Sequence, residues 1–271
     1  MRNKNSIIPI FLIGAMKSGT STLYKHLSLH PEICCPTIKE PEYFSVNMGH
    51  PEYKIGDYFD LFKLTKSHNY ILDASTGYAK FPMESGVPER IFSYGLLPKI
   101  IYIVRNPLDR IESHYNHMTK YADWNSSITS ENLINTSRYY MQLQQYLHYF
   151  KKEDILVLNF DDLVNDYKTV LRKVYDFVEI KDEIFSEKSI QNNKTKPVNR
   201  KKIVLKSKLR NILKYIPIPV KTFARRIFDF FFVTKKSKLS KKQKNYVKSK
   251  IEEDIKCFGK EFSFDVEKWG F

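Results

Sequence analysis

The chain has 271 residues and a formal net charge of +15, and 42% of its residues are hydrophobic. This composition supplies a core for one large domain and excludes a chain that is disordered overall. Its apolar runs are shorter than the roughly 20 residues that a membrane-spanning helix needs. Cys34, Cys35 and Cys257 form neither a disulfide framework nor a spaced set of metal ligands, which favours a reducing, cytoplasmic location.

Before Lys181, patterns typical of strands alternate with patterns typical of helices. Strands are predicted at Ile8–Ile13, Tyr70–Asp73, Lys99–Val104 and Ile155–Asn159. Helices are predicted at Thr20–Leu29, Tyr53–Phe62, Pro88–Tyr94, Leu108–Lys120, Ser137–Phe150 and Leu163–Val178. Short apolar strands between helices predict an α/β fold, in which a central parallel sheet is flanked by helices in three layers.

The strand signals fade after Lys181, where a loop is predicted at Asn192–Lys202, followed by basic helices. Pro217 and Pro219 separate two of these helices. We therefore predict one domain over residues 1–271, with an α/β core at 1–190, a loop at 191–202 and a basic helical part at 203–271.

The segment Ile7–Leu23 indicates a phosphate site. An apolar strand leads into a loop of small residues that contains Lys17, and an amphipathic helix follows. Backbone N–H groups at such a helix start point toward an anion. The loop differs from the triphosphate motif G-x-x-x-x-G-K-[ST], because Lys17 precedes Gly19 and no lysine directly precedes Thr20. It is thus P-loop-like, but it lacks the lysine–hydroxyl pair that grips a γ-phosphate and its metal. A glycine–serine turn without a ligand is the simpler alternative.

A second anion site is indicated where the strand Lys99–Val104 ends. Arg105 follows this strand directly, and Asn106 and Pro107 then begin a helix. The carboxyl ends of parallel strands are where such sheets bind ligands, and arginine binds phosphate in a bidentate manner. Ser113 lies two helical turns after Asn106, on a face that can point toward Arg105. A surface ion pair is the alternative role for Arg105.

Together these segments resemble the sulfotransferases that use 3′-phosphoadenosine 5′-phosphosulfate (PAPS). In that family a K-x-G-T loop binds the 5′-phosphosulfate. The matching residues here are Lys17, Ser18, Gly19, Thr20, Ser21 and Thr22. An R-[DN]-P segment with a serine eight residues after its arginine binds the 3′-phosphate, and Arg105 and Ser113 match it.

Two further segments extend the resemblance to the nucleotide site. Residues 157–163 are similar to the family's L-x-Y-E-D-L segment, with Phe160 in place of the usual tyrosine, so that a hydroxyl contact is lost. The sequence NKTKPVNR at 193–200 resembles a loop that closes over the nucleotide. It implies Lys194, Thr195, Lys196 and Arg200 as nucleotide-binding residues.

The acceptor side of the resemblance rests on Lys39–Ser45, KEPEYFS, which is similar to the K-E-P-x-F-F segment of the heparan-type, carbohydrate-acting branch. There the glutamate takes the proton of the acceptor hydroxyl, which implies Glu40 as base, with Glu42 as a competing carboxylate. Lys39 would hold the sulfuryl oxygens, and Lys17 would stabilise the departing bridging oxygen. The segment Asp73–Tyr78 resembles one that lines the acceptor cleft. A carbohydrate or glycolipid acceptor is implied, and the chemistry requires no metal.

The positive charge is concentrated late in the chain. Residues 194–250 contain 20 Lys/Arg and one acid, whereas the remainder contains 25 basic and 29 acidic residues. This segment is expected to attract an acidic glycan or an anionic membrane surface. A peripheral location at the inner face of the membrane is therefore an alternative to a purely cytoplasmic one. Solvated helix faces are the alternative, and nucleic acid is disfavoured because no nucleic-acid module accompanies the charge.

Two other functions remain open from the sequence. A nucleotide or small-molecule kinase would use ATP and magnesium, with Asp73 as the acid at a strand end. A non-enzymatic module would bind polyanions or membranes through residues 194–250 without turnover. The oligomeric state is open.

Overall fold

The computed structural model of the protein describes residues 7–49, 51–119, 121, 124–180 and 236–271. The predicted loop Asn192–Lys202 and the helices around Pro217 and Pro219 lie outside the described residues. So do the predicted nucleotide-binding residues Lys194, Thr195, Lys196 and Arg200.

Five parallel strands form one sheet in the order β2-β3-β1-β4-β5. The strands are β1 (Ile8–Gly14), β2 (Ile33–Cys34), β3 (Tyr70–Asp73), β4 (Lys99–Val104) and β5 (Ile155–Asn159). The predicted parallel sheet is confirmed, and only the two-residue β2 was missed, because it is too short for a hydrophobic pattern. The central strand β1 lies between β3 and β4, which places the segments after β1 and β4 side by side at the carboxyl edge.

Helices cover both faces of this sheet. They are α1 (Thr20–Leu27), α2 (Val87–Ser93), α3 (Pro107–Met118), α4 (Glu131–Asn135), α5 (Tyr139–Leu147), α6 (Phe160–Asn165), α7 (Tyr167–Val178) and α8 (Lys241–Glu261). Side chains of β1 alternate between two buried clusters, as the strand period requires. Ile10 and Leu12 pack in the cluster that includes residues of α1 and α7, whereas Phe11 and Ile13 pack with residues of α3, α5 and α8.

Two helix predictions need correction. The predicted helix Tyr53–Phe62 is wrong: the segment forms two 3-10 turns, Pro51–Lys54 and Tyr58–Leu61. Asp57 starts the second turn by accepting a hydrogen bond from the Phe59 N–H at 2.8 Å. The predicted helix Leu163–Val178 is split, because Asp166 adopts a non-helical backbone and caps α7 through the Thr169 N–H at 3.2 Å.

Helix α8 packs against α5 through Val247, Ile251, Ile255 and Phe258, which are buried. The Asp254 carboxylate accepts hydrogen bonds from the backbone N–H groups of Tyr140 (3.1 Å) and Met141 (2.8 Å). It thereby caps the start of α5, whose own N-cap residue contributes no side-chain bond. The described part of the predicted basic helical region thus contains a helix, α8, which packs against the α/β core. In the described parts of the chain, no helix has both the length and the apolar character needed to cross a membrane.

Candidate active site

The loop after β1 and the residue after β4 meet at the carboxyl edge of the sheet. The β1 and β4 strands pair directly, and the Ala15 N–H donates a hydrogen bond to the Ile103 carbonyl at 2.7 Å. Successive strands are added on opposite sides of β1: β2 and β3 lie on one side of it, and β4 and β5 lie on the other. Parallel α/β sheets bind ligands at such a point.

The loop leaves the start of α1 available to an anion. Gly19, the N-cap residue of α1, has the left-handed backbone (φ 95°), makes no side-chain capping bond, and is followed by a first turn without acidic residues. The first N–H groups of a helix have no partner within it, and the helix dipole favours negative charge there. The Ser18 hydroxyl is buried and has no hydrogen-bond partner among the described residues. Buried hydroxyls are normally bonded, so these residues fit a bound phosphate or phosphosulfate.

Phe160 joins the two predicted anion-binding elements. The Arg105 guanidinium carbon lies 4.7 Å from the centroid of the Phe160 ring, within the range of a cation–π contact. A Cβ at Gly19 would lie 2.9 Å from Phe160 Cδ2, so the same ring also touches the loop. The ring therefore supports both Arg105 and the loop without a tyrosine hydroxyl. Ser113 is half-buried on α3.

The backbone of Arg105 is fixed separately from its side chain. The Tyr139 hydroxyl donates to the Arg105 carbonyl at 2.6 Å and accepts from the Arg105 N–H at 3.4 Å. Asn106 then caps α3, its side chain accepting from the Leu108 N–H at 3.0 Å. These bonds hold the end of β4 in place, so that the Arg105 side chain projects at the ligand-binding edge.

A hydrogen-bonded chain of side chains connects the predicted base, Glu40, to the predicted phosphate-binding segment Lys17–Thr22, called the phosphate loop below. The Lys39 ammonium donates to the Ser21 hydroxyl on α1 at 3.1 Å and forms an ion pair with Glu40. The other Glu40 oxygen accepts from the Thr76 hydroxyl at 3.1 Å. The Lys39 and Glu40 side chains are 33% and 34% exposed, so both are accessible to a ligand. Thr76 belongs to the segment Asp73–Tyr78, which resembles a lining of the acceptor cleft, but its contact with Glu40 was not predicted because it spans 36 residues.

Glu42, the competing carboxylate, is in a different environment. It is buried, and its two oxygens accept hydrogen bonds from the Ser45 hydroxyl (2.6 Å) and the Gly77 N–H (2.7 Å). A Cβ at Gly77 would lie 2.3 Å from a Glu42 oxygen, so only glycine allows this approach. Burial raises the pKa of Glu42 to about 7. The Glu42 carboxyl therefore ties the loop after β2 to the segment after β3.

The carboxylate of Asp73, the acid that a kinase would need for magnesium, also has several hydrogen-bond donors. It is fully buried and accepts hydrogen bonds from the hydroxyls of Ser75 (2.6 Å), Tyr78 (2.9 Å) and Tyr58 (3.3 Å). Burial raises its pKa to about 6. In the part of the chain that the structure describes, no three His, Cys, Asp or Glu side chains are grouped so as to hold a metal ion.

Comparison with known proteins identifies the family. The model of the sulfotransferase domain matches residues 8–254, so the chain belongs to the sulfotransferase family. It is 29% identical over 201 residues to heparan sulfate glucosamine 3-O-sulfotransferase 3B1 of Mus musculus, covering 68% of this chain and 49% of that protein. It is 24% identical over 267 residues to carbohydrate sulfotransferase 15 of Mus musculus, covering 70% of this chain and 48% of that protein.

A crystal structure of a sulfotransferase from Alicyclobacillus acidocaldarius superposes with a TM-score of 0.55 at 25% identity, covering 68% of this chain and 86% of that one. The family resemblance and the three-layer fold predicted from the sequence are thereby confirmed. The chain spans about half the length of the curated relatives it matches. The roles of the individual site residues stay predictions.

Substitution of Gly19 by alanine is expected to lower the free energy of unfolding by about 1–3 kcal/mol, since a left-handed backbone and a close contact both oppose a Cβ. The contact is with the Phe160 ring at 2.9 Å. Urea unfolding measures the loss. Gly95→Ala is the matched control, because Gly95 has a similar φ of 89° and no described atom within 4 Å of its added Cβ. Equal losses in the two variants would show that the Phe160 contact contributes nothing.

The pKa of Glu42 predicts how stability depends on pH. Because its pKa rises from 4.5 to about 7 on folding, the native state binds more protons in this interval than the unfolded chain. The Glu42 contribution to stability is then present below pH 4.5 and is lost as pH rises toward 7. Glu42→Gln is expected to reduce the fall in Tm across this interval, measured by calorimetry at several pH values. An unchanged pH profile would contradict this assignment.

Proposed function

We propose that the protein transfers the sulfuryl group of PAPS to a hydroxyl group of a carbohydrate or glycolipid acceptor, with Glu40 as the base. PAPS is the donor that the family implies, and the names of two relatives, which specify heparan sulfate glucosamine and carbohydrate, support a sugar acceptor. The observation that carries the proposal is the chain of contacts from Ser21 through Lys39 to Glu40. It places a carboxylate that is accessible to a ligand beside the loop that would hold the donor.

The proposed reaction is an in-line displacement. The acceptor oxygen forms a bond to sulfur while the bond from sulfur to the bridging phosphate oxygen breaks, and 3′,5′-ADP leaves. Positioning and electrostatic stabilisation dominate such transfers, as they do in phosphoryl transfer. Glu40 accepts the proton of the acceptor hydroxyl, and Lys17 stabilises the charge that develops on the bridging oxygen. Lys39 holds the sulfuryl oxygens during the transfer.

The two predicted anion sites distinguish the donor from ATP. The loop Lys17–Thr22 would bind the 5′-phosphosulfate, and Arg105 with Ser113 would bind the 3′-phosphate that ATP lacks. Phe160 supports this division, because its ring contacts the loop at Gly19 and the guanidinium of Arg105. The kinase alternative has less support, because Asp73 is buried and its carboxylate already accepts hydrogen bonds from the Ser75 and Tyr78 hydroxyls.

Ligand-dependent thermal stability tests the donor. At 100 times its Kd, 3′,5′-ADP without added metal is expected to raise Tm by about 5 °C or more. Stabilisation by ATP only together with magnesium would instead support the kinase. Radiolabelled PAPS, incubated with glycans, glycolipids and phenols in separate reactions, then tests the acceptor class. Label transfer to phenols alone would contradict a sugar acceptor.

The described part of the basic segment supports attraction of an acidic acceptor. Residues 236–250 contain seven lysines and no acid, and both Lys241 and Lys242 are exposed. Changing these two lysines to glutamine is expected to weaken binding to a sulfated polysaccharide by about threefold at low salt, because exposed charges contribute little individually. Lys256→Gln with Lys260→Gln, in the other half of α8, is the matched control. Unchanged binding in the first variant would argue against this surface, and a preference for anionic vesicles would indicate a membrane.

A further inference from the structure

Arg110 is a fully buried arginine on α3 that the sequence analysis did not single out. Its guanidinium donates to the Ser137 hydroxyl at 2.6 Å and to the Leu133 carbonyl at 2.5 Å. It also lies 3.0 Å from His114 Nδ1 and donates to the Met16 carbonyl at 3.2 Å. The last bond connects α3 to the residue that directly precedes Lys17 in the phosphate loop.

These partners of the guanidinium carry no negative charge. Burial and the neighbouring cation Arg110 lower the pKa of His114 well below its usual range, so the imidazole is neutral and accepts the hydrogen bond. Within the described ranges, no carboxylate forms an ion pair or a hydrogen bond with Arg110. A buried charge without a counter-charge is costly, even where its donors are satisfied by neutral groups.

Several cations act on Arg110 and on its neighbour His114. Besides Arg110, the groups that lower the pKa of His114 electrostatically are Lys80, His117 and Lys17. Burial lowers the pKa of Arg110, and the positive charge of Arg105 likewise lowers it. Carboxylates offset the charge of Lys80: burial lowers its pKa, but Glu42, Glu40 and Glu84 act to raise it. Lys17 and Arg105 belong to the proposed anion sites, where a bound anion would balance their charge together with that of Arg110.

We propose that Arg110 is a positioning residue that holds the Met16 carbonyl toward α3, and that the anion bound by the phosphate loop is its counter-charge. Turning this carbonyl inward directs the loop's N–H groups, and Lys17, toward the ligand. The buried charge of Arg110 then stabilises the loop with a bound anion more than it stabilises the loop without one. The inference rests on the proposed function in one respect, namely that the loop binds a phosphate or phosphosulfate.

Two variants separate charge from geometry. Arg110→Lys and Arg110→Gln both lose the guanidinium fork, but only lysine keeps the charge. Titration calorimetry with 3′,5′-ADP is expected to show binding about tenfold weaker in Arg110→Gln than in Arg110→Lys, the usual scale for a charged interaction. The rise in Tm on adding 3′,5′-ADP is expected to be smaller in the glutamine variant as well. Arg110→Met is the second neutral variant if Arg110→Gln does not fold.

Arg90→Gln is the matched control. Arg90 also donates to two carbonyls, of Phe44 at 2.7 Å and Ser85 at 2.8 Å, but Phe44 belongs to the segment Lys39–Ser45 and not to the loop after β1. Its substitution is expected to lower Tm without changing the Kd of 3′,5′-ADP. Equal affinities in Arg110→Lys and Arg110→Gln, with both proteins less stable, would overturn the inference and leave Arg110 a structural residue. Failure of the wild-type protein to bind 3′,5′-ADP would overturn the proposed function, and this inference with it.

Discussion

Replacement of Lys17 by alanine is expected to lower kcat/KM for sulfuryl transfer from PAPS by about 10²–10³-fold, the usual cost of removing one group that stabilises charge in the transition state. Lys17 lies in the loop between β1 and α1, two residues before Gly19, the N-cap residue of the helix. Its ammonium is assigned to the bridging oxygen, where negative charge grows only as the bond to sulfur breaks. The loss should therefore be larger in kcat than in the Kd of 3′,5′-ADP.

The measurement is transfer of label from radiolabelled PAPS, together with calorimetric titration of the nucleotide. Lys25→Ala is the control, because Lys25 is a lysine in the last turn of α1, the helix that follows the loop containing Lys17. Its substitution tests whether loss of any positive charge from α1 reduces transfer. If Lys17→Ala and Lys25→Ala retain similar rates, the role assigned to Lys17 is wrong.

Replacement of Glu40 by glutamine is expected to lower kcat by about 10²–10⁴-fold, the range that general base catalysis contributes. The amide keeps the shape of the side chain and can still accept the hydrogen bond from Thr76, but it cannot take a proton. Nucleotide binding should be retained, because Lys39 can still donate to Ser21 on α1. Initial rates at saturating PAPS and acceptor, and the Kd of 3′,5′-ADP, measure the two effects separately.

Glu42→Gln is the matched control for Glu40. Glu42 is two residues away in the same segment, yet it is buried and its oxygens are bonded to Ser45 and Gly77. Its substitution is expected to change stability and its pH dependence more than kcat. Normal turnover in Glu40→Gln, or a larger loss of kcat in Glu42→Gln, would show that Glu40 is not the base.

The sequence predicted most of the architecture because the main strands are short apolar runs with clear ends. Predicted bounds and observed bounds agree for Tyr70–Asp73, Lys99–Val104 and Ile155–Asn159. Helix ends were predicted less well, since they depend on single capping contacts. Asp166 splits one predicted helix by bonding to Thr169, and Asp57 starts a 3-10 turn where one long helix was expected.

Some residues of the candidate site were likewise predicted from local sequence patterns, whereas others were not. Contiguous motifs placed Lys17 in the loop after β1 and Arg105 at the end of β4, because both positions depend on local order along the chain. The role of Phe160 was only partly predicted: its missing hydroxyl was evident, but its contacts with Gly19 and Arg105 were not. Arg110 was missed altogether, although its position five residues after Arg105 was visible in the sequence.

By itself, the sequence determined four of the five strands in the described residues and most of the helices, the loop after β1 with its displaced lysine, and the pair of carboxylates in the segment Lys39–Ser45. Only the tertiary structure decided that Glu40 is accessible and bonded to Lys39, whereas Glu42 is buried against Gly77. It also showed that Arg110 donates a hydrogen bond to the Met16 carbonyl in the loop after β1. The physical reason is that residue type and spacing set local conformation, but burial and counter-charges come from segments far apart in the chain.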